Sequence, residues 1–363
     1  MLGIASGWVT AFFLYDVAEA IDLRGVSRLI GATAPARMAP KPPTPPYLQY
    51  KDPPIAFEGQ AVGMGDIDGF QVRFKTFDYG VVSVALTRPI PATWDRLLAE
   101  GLPWHDDARL AAAAERYCRA LVERLRPAIF RPRTTFLSED YLVFAVTGLA
   151  GPATAEGLLA GHGFEIAQLL RGEREPLSVQ ERDEVLRNHI SYLATDLVVP
   201  TWNAAFIHDT DAGAQGILEI LEFANSQLLE FRYYDQLLDQ ELERIYARLQ
   251  EPGWSQSWFG RRFTRAARQV HSLFIDVNEL TDKTENALKI AGDVYAARLF
   301  TLAAARLGLA DWKGNVREKL KTLDDIYRFA VEQTAMARGE LLEIMIVLIL
   351  VFELVLFFAG IMR

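Results

Sequence analysis

The densest gathering of polar side chains at helical spacing lies in Leu221-Glu222-Phe-Ala-Asn225-Ser-Gln227-Leu-Leu-Glu230-Phe-Arg232-Tyr-Tyr-Asp235. Residues three and four apart are neighbours on a helix surface, so Glu222, Asn225 and Arg232 fall on adjoining faces. Asp235 falls in the apolar seam itself. A carboxylate there requires a basic or hydroxyl partner, because an unpaired buried charge is strongly destabilising. Arg298, at a seam position of a later helix, is one candidate partner if the two helices run antiparallel. Glu222, Asn225, Arg232, Asp235 and Arg298 therefore read first as a polar network that sets helix register, and second as a binding site.

Other reactive residues are sparse. None of the five histidines has another at a helical i, i+4 position. His105-Asp-Asp107 and His208-Asp209 with Asp211 have the types to hold a cation at a loop, and equally the types to cap a helix. Gly63-Met-Gly65-Asp66-Ile-Asp68-Gly69 lacks the strand and helix that flank a dinucleotide loop, and the twelfth position counted from Asp66 is Phe77 rather than a bidentate Glu. There is no phosphate loop and no nucleophile elbow. The single cysteine, Cys118, can neither staple the fold nor build a zinc site. The expectation is a protein without catalytic residues, metal or cofactor, and so not an enzyme. A net charge of −9 argues against direct nucleic-acid binding.

The elements that would position these residues follow from periodicity. Ile217, Leu221, Ala224, Leu228, Phe231, Asp235, Leu238, Leu242, Ile245 and Leu249 step by four and three, a heptad seam. Glu251-Pro-Gly253 ends that helix. A second helix is expected from Arg261 through Ala305. A third runs Val316, Leu320, Leu323, Tyr327 and onward, and the three pack most simply as an up-down-up bundle. Before them, Trp8–Tyr15 reads as a strand and Val17–Ile30 as a helix. Phe70–Phe77 with Gly80–Thr87, Thr134–Thr147 about Ser138-Glu-Asp140, and Ile190–Val199 with Thr201–His208 read as strand pairs. Helices are expected over Ala92–Glu100, Ala108–Leu125, Gly163–Leu170 and Ser178–Arg187. Residues 34–54 are proline-rich and suit an extended crossing. The fold class is α+β: a mixed sheet with helices on one face over residues 1–210, then a helical stalk over 211–340.

From Ile344 to Met362 the chain reads IMIVLILVFELVLFFAGIM, apolar but for Glu353. A spanning helix needs roughly 20 apolar residues, so residues 341–363 are expected to form one transmembrane helix. The apolar start, Met1–Tyr15, has no basic residue before Arg24 and is not read as a secretory signal. Together these place a single-pass protein in a bacterial inner membrane, soluble part in the cytoplasm, with the lipid bilayer as a partner. A lone intramembrane acid at Glu353 argues for a homo-oligomer or an unidentified protein partner.

Asp196-Leu-Val-Val-Pro-Thr-Trp-Asn-Ala-Ala205, Leu221–Asn225 and Gln227–Asp235 together resemble the DUF155 family, related to the "required for meiotic nuclear division" proteins. Phe77-Asp-Tyr-Gly-Val-Val-Ser83 is similar to its early strand, and the Glu343 to Glu353 helix to its tail. The resemblance runs in order over residues 70–363. It implies a membrane-attached, oligomeric protein with no known catalytic residues; a mitochondrial relative is associated with organellar translation. The proline-rich segment and the lack of a presequence point to a bacterial-type member, for which a ribosomal role does not transfer. The functional expectation is a non-enzymatic, membrane-tethered scaffold or assembly protein. The alternative is an oligomeric ion channel or transport subunit with a layout similar to CorA-type channels, although a second span and a Gly-Met-Asn signature are missing.

Overall fold

The computed structural model describes residues 3–30, 53–249, 273–275, 277–278 and 294–358. Its first strand, β1 (Ile4–Ile21), carries apolar residues on both faces, as a strand covered on both sides must. It runs past the expected end at Tyr15, and only Leu23–Ile30 becomes helix α1. The reason is pairing: β5 (Ile129–Leu149) follows it as far as Ile21 opposite Ile129, with a register shift between Asp16 and Ala18. A long partner overrides the local helical preference of Val-Ala-Glu-Ala. The same pairing removes the expected turn at Ser138-Glu-Asp140, which lies opposite Phe13, Leu14 and Tyr15 within one continuous strand.

Between them come β2 (Ile55–Glu58), β3 (Gln71–Thr76), β4 (Val81–Pro89), α2 (Trp94–Gly101) and α3 (Ala108–Arg124). After β5 follow α4 (Ala155–Arg171), α5 (Val179–Leu186), β6 (Leu197–Pro200) and β7 (Ala204–His208). Helix α4 starts well before the expected Gly163 and breaks its regular geometry at His162. Asp107, Thr154 and Ser178 cap α3, α4 and α5 by accepting backbone N–H groups of their first turns. The strands form one seven-stranded sheet in the order β2-β3-β4-β1-β5-β7-β6. All neighbours are antiparallel except β5 and β7, so the sheet is mixed, as expected. The β3–β4 connection turns at Gly80 (φ +94), whose N–H donates to the Phe77 carbonyl and whose carbonyl accepts from Val17 N–H.

Helices cover both faces of the sheet rather than one. Val9, Ala11 and Tyr15 of β1, with Val84 and Phe144, belong to a core shared with Leu97, Leu121, Ile166 and Leu169 of α2, α3 and α4. The alternate residues Phe12, Leu14, Val143 and Ile207 are equally buried on the opposite face. That face is crossed by the start of α6 (Asp211–Leu249): Trp8 Nε1 donates to Asp211 Oδ1 (3.1 Å), and the Tyr79 and Ser226 hydroxyls lie 2.7 Å apart. Helix α7 (Val294–Arg306) joins there, with Phe300 against Phe223.

The chain divides into two compact units, Met1–Tyr233 with Thr281–Lys313, and Tyr234–Leu280 with Gly314–Arg363. The division falls within α6, beyond the boundary expected at 210. In the second unit, Leu238 and Ile245 of α6 and Val316, Leu320 and Leu323 of α8 (Leu309–Phe358) are buried. Most of the expected middle helix, 261–305, and the proline-rich residues 34–52 lie outside the described residues.

The expected membrane helix does not stand. Among the described residues no helix is long and apolar enough to cross a membrane. The apolar part of α8 within them, 344–358, is 15 residues long and contains Glu353. At about 1.5 Å per residue it reaches roughly 22 Å, against a hydrocarbon core of about 30 Å. The transmembrane assignment and the single-pass inner-membrane placement are therefore not supported.

Candidate functional site

Every residue from Ile220 to Phe231 is buried, so this part of α6 is enclosed on all sides. A heptad seam alone would hide one stripe and leave Glu222, Ser226, Gln227 and Glu230 in water. Enclosure by the sheet on one side and α7 on another converts those residues into an internal polar layer. Glu222, 1% exposed, forms an ion pair with Lys75 Nζ of β3. Burial alone would raise its carboxyl, but Lys75 and Arg73 outweigh it and hold the group below the ordinary range. Asn225 turns its amide back to the Leu221 carbonyl of its own helix (2.8 Å). It is buried but does not bridge to the sheet.

The layer continues along β5. Arg232 pairs with Glu139 and lies over the Trp312 ring (5.9 Å). Six residues back along β5, Arg133 Nε lies 2.6 Å from Asp16 Oδ2, and its guanidinium stacks 3.6 Å from the centre of the Tyr233 ring. Asp16 is fully buried, and burial pushes its carboxyl up to about 6 despite the pull of Arg133. A raised acid binds its proton more tightly when folded. The stability it contributes is complete below 3.8 and is lost as pH rises through about 6. Asp16→Asn is therefore expected to show a urea midpoint that gains on the parent between pH 5 and pH 7. A constant gap over that range would show that Asp16 is ionised throughout.

The remaining expected members lie elsewhere. Asp235 does find a base, but it is Lys319 of α8, whose Nζ sits 2.7 Å from both Asp235 and Asp239. Arg298 is exposed on α7 and plays no part in that pairing. Glu353 is exposed on the apolar end of α8. Lys75, Arg133, Asp16 and Glu139 were not singled out from the sequence: Lys75 falls in an expected strand where alternation assigns it to a solvent face, Asp16 and Arg133 fall just outside expected strands, and Glu139 falls at an expected turn. The signal that could have found them is the double cover of the sheet, which gives such a face no solvent.

The described histidines are held in structural roles. His105 Nε2 lies 2.6 Å from the Leu169 carbonyl, His189 Nδ1 2.8 Å from Leu186, and His208 Nδ1 2.8 Å from Val146. His162 stacks on Trp94. Burial pushes the Cys118 thiol far above its usual range. Among the described residues no group of three or more His, Cys, Asp or Glu could hold a metal ion. His105-Asp-Asp107 resolves as a cap, with Asp107 at the start of α3.

With this geometry in place, the family model described as "Uncharacterized protein MJ0711, N-terminal domain" matches residues 6–215, and the chain belongs to that family. A relative from Methanocaldococcus jannaschii, named "Uncharacterized protein MJ0711", is 25% identical over 223 residues, covering 61% of this chain and 67% of the relative. No solved structure matches the chain. These matches overturn the resemblance to DUF155. The strings that carried it are a buried strand pair (β6–β7) and an amphipathic helix (α6), and both patterns recur wherever a sheet or a seam must be buried. The family match spans nearly the whole of the sheet and ends just inside α6, so the polar layer joins a family element to a helix outside the matched range.

Proposed function

We propose, with that family membership as premise, that this chain is a non-enzymatic assembly protein: its sheet unit is a rigid body, and copies join through the apolar end of α8. One observation carries the reading. From Ile344 to Val355 every residue except Glu353 is a large apolar one, and each is between 48% and 63% exposed. A continuous apolar surface of this kind marks an interface.

A second copy suits it for two reasons. Ile344, Leu348, Val351 and Val355 continue the four-three spacing of Val316, Leu320 and Leu323, which are already buried in the second unit. In that frame Glu353 falls on the side opposite the seam, where a coiled coil tolerates charge. The positions between are also apolar, so a two-stranded seam would leave Ile346 and Leu350 in water. More than two copies bury them.

Light scattering on the full chain in aqueous buffer, beside a version ending at Arg338, tests this. A defined oligomer that becomes a monomer on removal of the segment is expected. A monomeric full chain would overturn the reading, as would capture by phosphatidylcholine vesicles without self-association.

A further inference from the structure

On the sheet face away from α6, a cavity of about 540 Å³ opens between β1, β5, the start of α3 and the short 3-10 helix Leu102–Asp106. Its apolar walls include Phe13, Tyr15, Trp104 and Phe136, and its polar groups are overwhelmingly acidic. No Lys or Arg lines it. Three of its carboxylates are already neutralised from outside the cavity: Asp107 by Arg109 (3.0 Å), Glu115 by Arg119 (2.6 Å), and Glu139 by Arg232. Two are not. Among the described residues Asp106 and Asp140 have no ion-pair partner.

Tyr15 is a second, independent pointer. It is only 5% exposed, it lines the cavity, and its hydroxyl has no hydrogen-bond partner among the described residues. A tyrosine side chain so enclosed ordinarily finds a partner for its polar end within the protein. Here the space in front of it is the cavity.

We infer that this cavity binds a small organic cation, an ammonium group on a flat apolar body. The ammonium would sit between Asp106 and Asp140 and the body among the aromatic walls, with the Tyr15 hydroxyl as a further contact. Three features select this class. Two unneutralised carboxylates in a partly enclosed space favour a positive ligand and reject an anion. Aromatic faces attract an ammonium and pack well on a flat ring. The volume falls within the range of about 300–1,000 Å³ usual for small-molecule sites. A bare metal ion is not favoured, since no set of three ligands converges there among the described residues.

The carboxyl of Asp140 gives the site a pH signature. Enclosure by its surroundings and the neighbouring Asp106 raise it, outweighing the opposing pull of His105, which is itself pushed down by burial. Asp107 before α3, Glu115 of α3, Glu139 and Tyr141 of β5 and Tyr15 of β1 are the other titratable groups that line the cavity. Protonating Asp140 removes half of the unneutralised charge, so affinity is expected to fall on acidification before ordinary carboxylates titrate.

Calorimetric titration of the full chain with tryptamine and with indole-3-acetate, the same ring carrying the opposite charge, tests the inference. Tryptamine is expected to bind and indole-3-acetate to fail. Asp106→Asn with Asp140→Asn should weaken tryptamine by about tenfold or more, equivalent to about 1.4 kcal/mol. Tyr15→Phe should weaken it severalfold with an unchanged circular dichroism spectrum. If the double variant does not fold, Asp106→Asn alone, at an exposed position, reads the same charge effect. No tryptamine binding at millimolar concentration would overturn the inference. So would equal binding of both probes, or unchanged affinity in the carboxamide variants.

Discussion

Glu222→Leu is expected to destabilise the sheet unit by about 3–5 kcal/mol, while Glu222→Leu combined with Lys75→Met restores most or all of that loss. The argument rests on where the pair sits. The Lys75 side chain is 9% exposed and that of Glu222 is 1% exposed, so removing one partner strands the other charge away from water. Removing both also removes the desolvation that the pair suffers on folding, and two apolar side chains of similar length can fill the gap between β3 and α6. Urea denaturation of the parent, both single variants and the double completes a thermodynamic cycle. A coupling near zero would mean that water reaches the pair. Near-parental stability of Glu222→Leu alone would mean the same.

Gly80→Ala is expected to cost about 3 kcal/mol or more, from a left-handed backbone combined with a direct clash. Gly80 has φ +94, and a Cβ there would stand 1.9 Å from the Ala18 carbonyl oxygen. That oxygen belongs to the central strand, beside the register shift between Asp16 and Ala18, so it cannot retreat without disturbing the β1–β5 pairing. Gly63 is the matched control. Its φ is +72, yet no atom lies within 4 Å of the added carbon. Gly63→Ala should cost only about 1 kcal/mol, the conformational part alone. Equal losses at both sites, measured as shifts in thermal midpoint, would show that the clash at Gly80 is relieved by movement.

The β3–β4 hairpin, helices α2, α3 and α5, and the β6–β7 pair were legible, because alternation and helical period leave a mark within a few residues. The length of β1 and β5 was not. Val17–Ile21 and Ser138–Asp140 carry local signals for helix and for turn, and only pairing with a distant strand overrules them. The seam acid Asp235 illustrates the same divide. Its need for a base follows from its position, but Arg298 and Lys319 are both cations on later helices, and the choice between them is a matter of packing. The buried pairs of the polar layer were hidden for a related reason. Lys75 on its alternating strand reads as solvent-facing until a second layer of helix is known to cover it, and Asp16, Arg133 and Glu139 fall beyond the expected strand ends or at the expected turn. The hydrophobic segment beyond Glu343 was legible as apolar, whereas its environment was not.

The central place of β1 has a kinetic consequence. Phe12 stands opposite Ala85 on one side and Tyr141 on the other. As the chain leaves the ribosome, the strand at the middle of the sheet appears first and its two neighbours appear much later. Until they arrive, an extended apolar segment has both edges open, and such edges are templates for pairing with other chains. The parallel β5–β7 step adds a further delay, since α4 and α5 must be made before it can form. Folding should accordingly be slow, and nascent chains halted after β1 should depend on holdase chaperones to remain soluble.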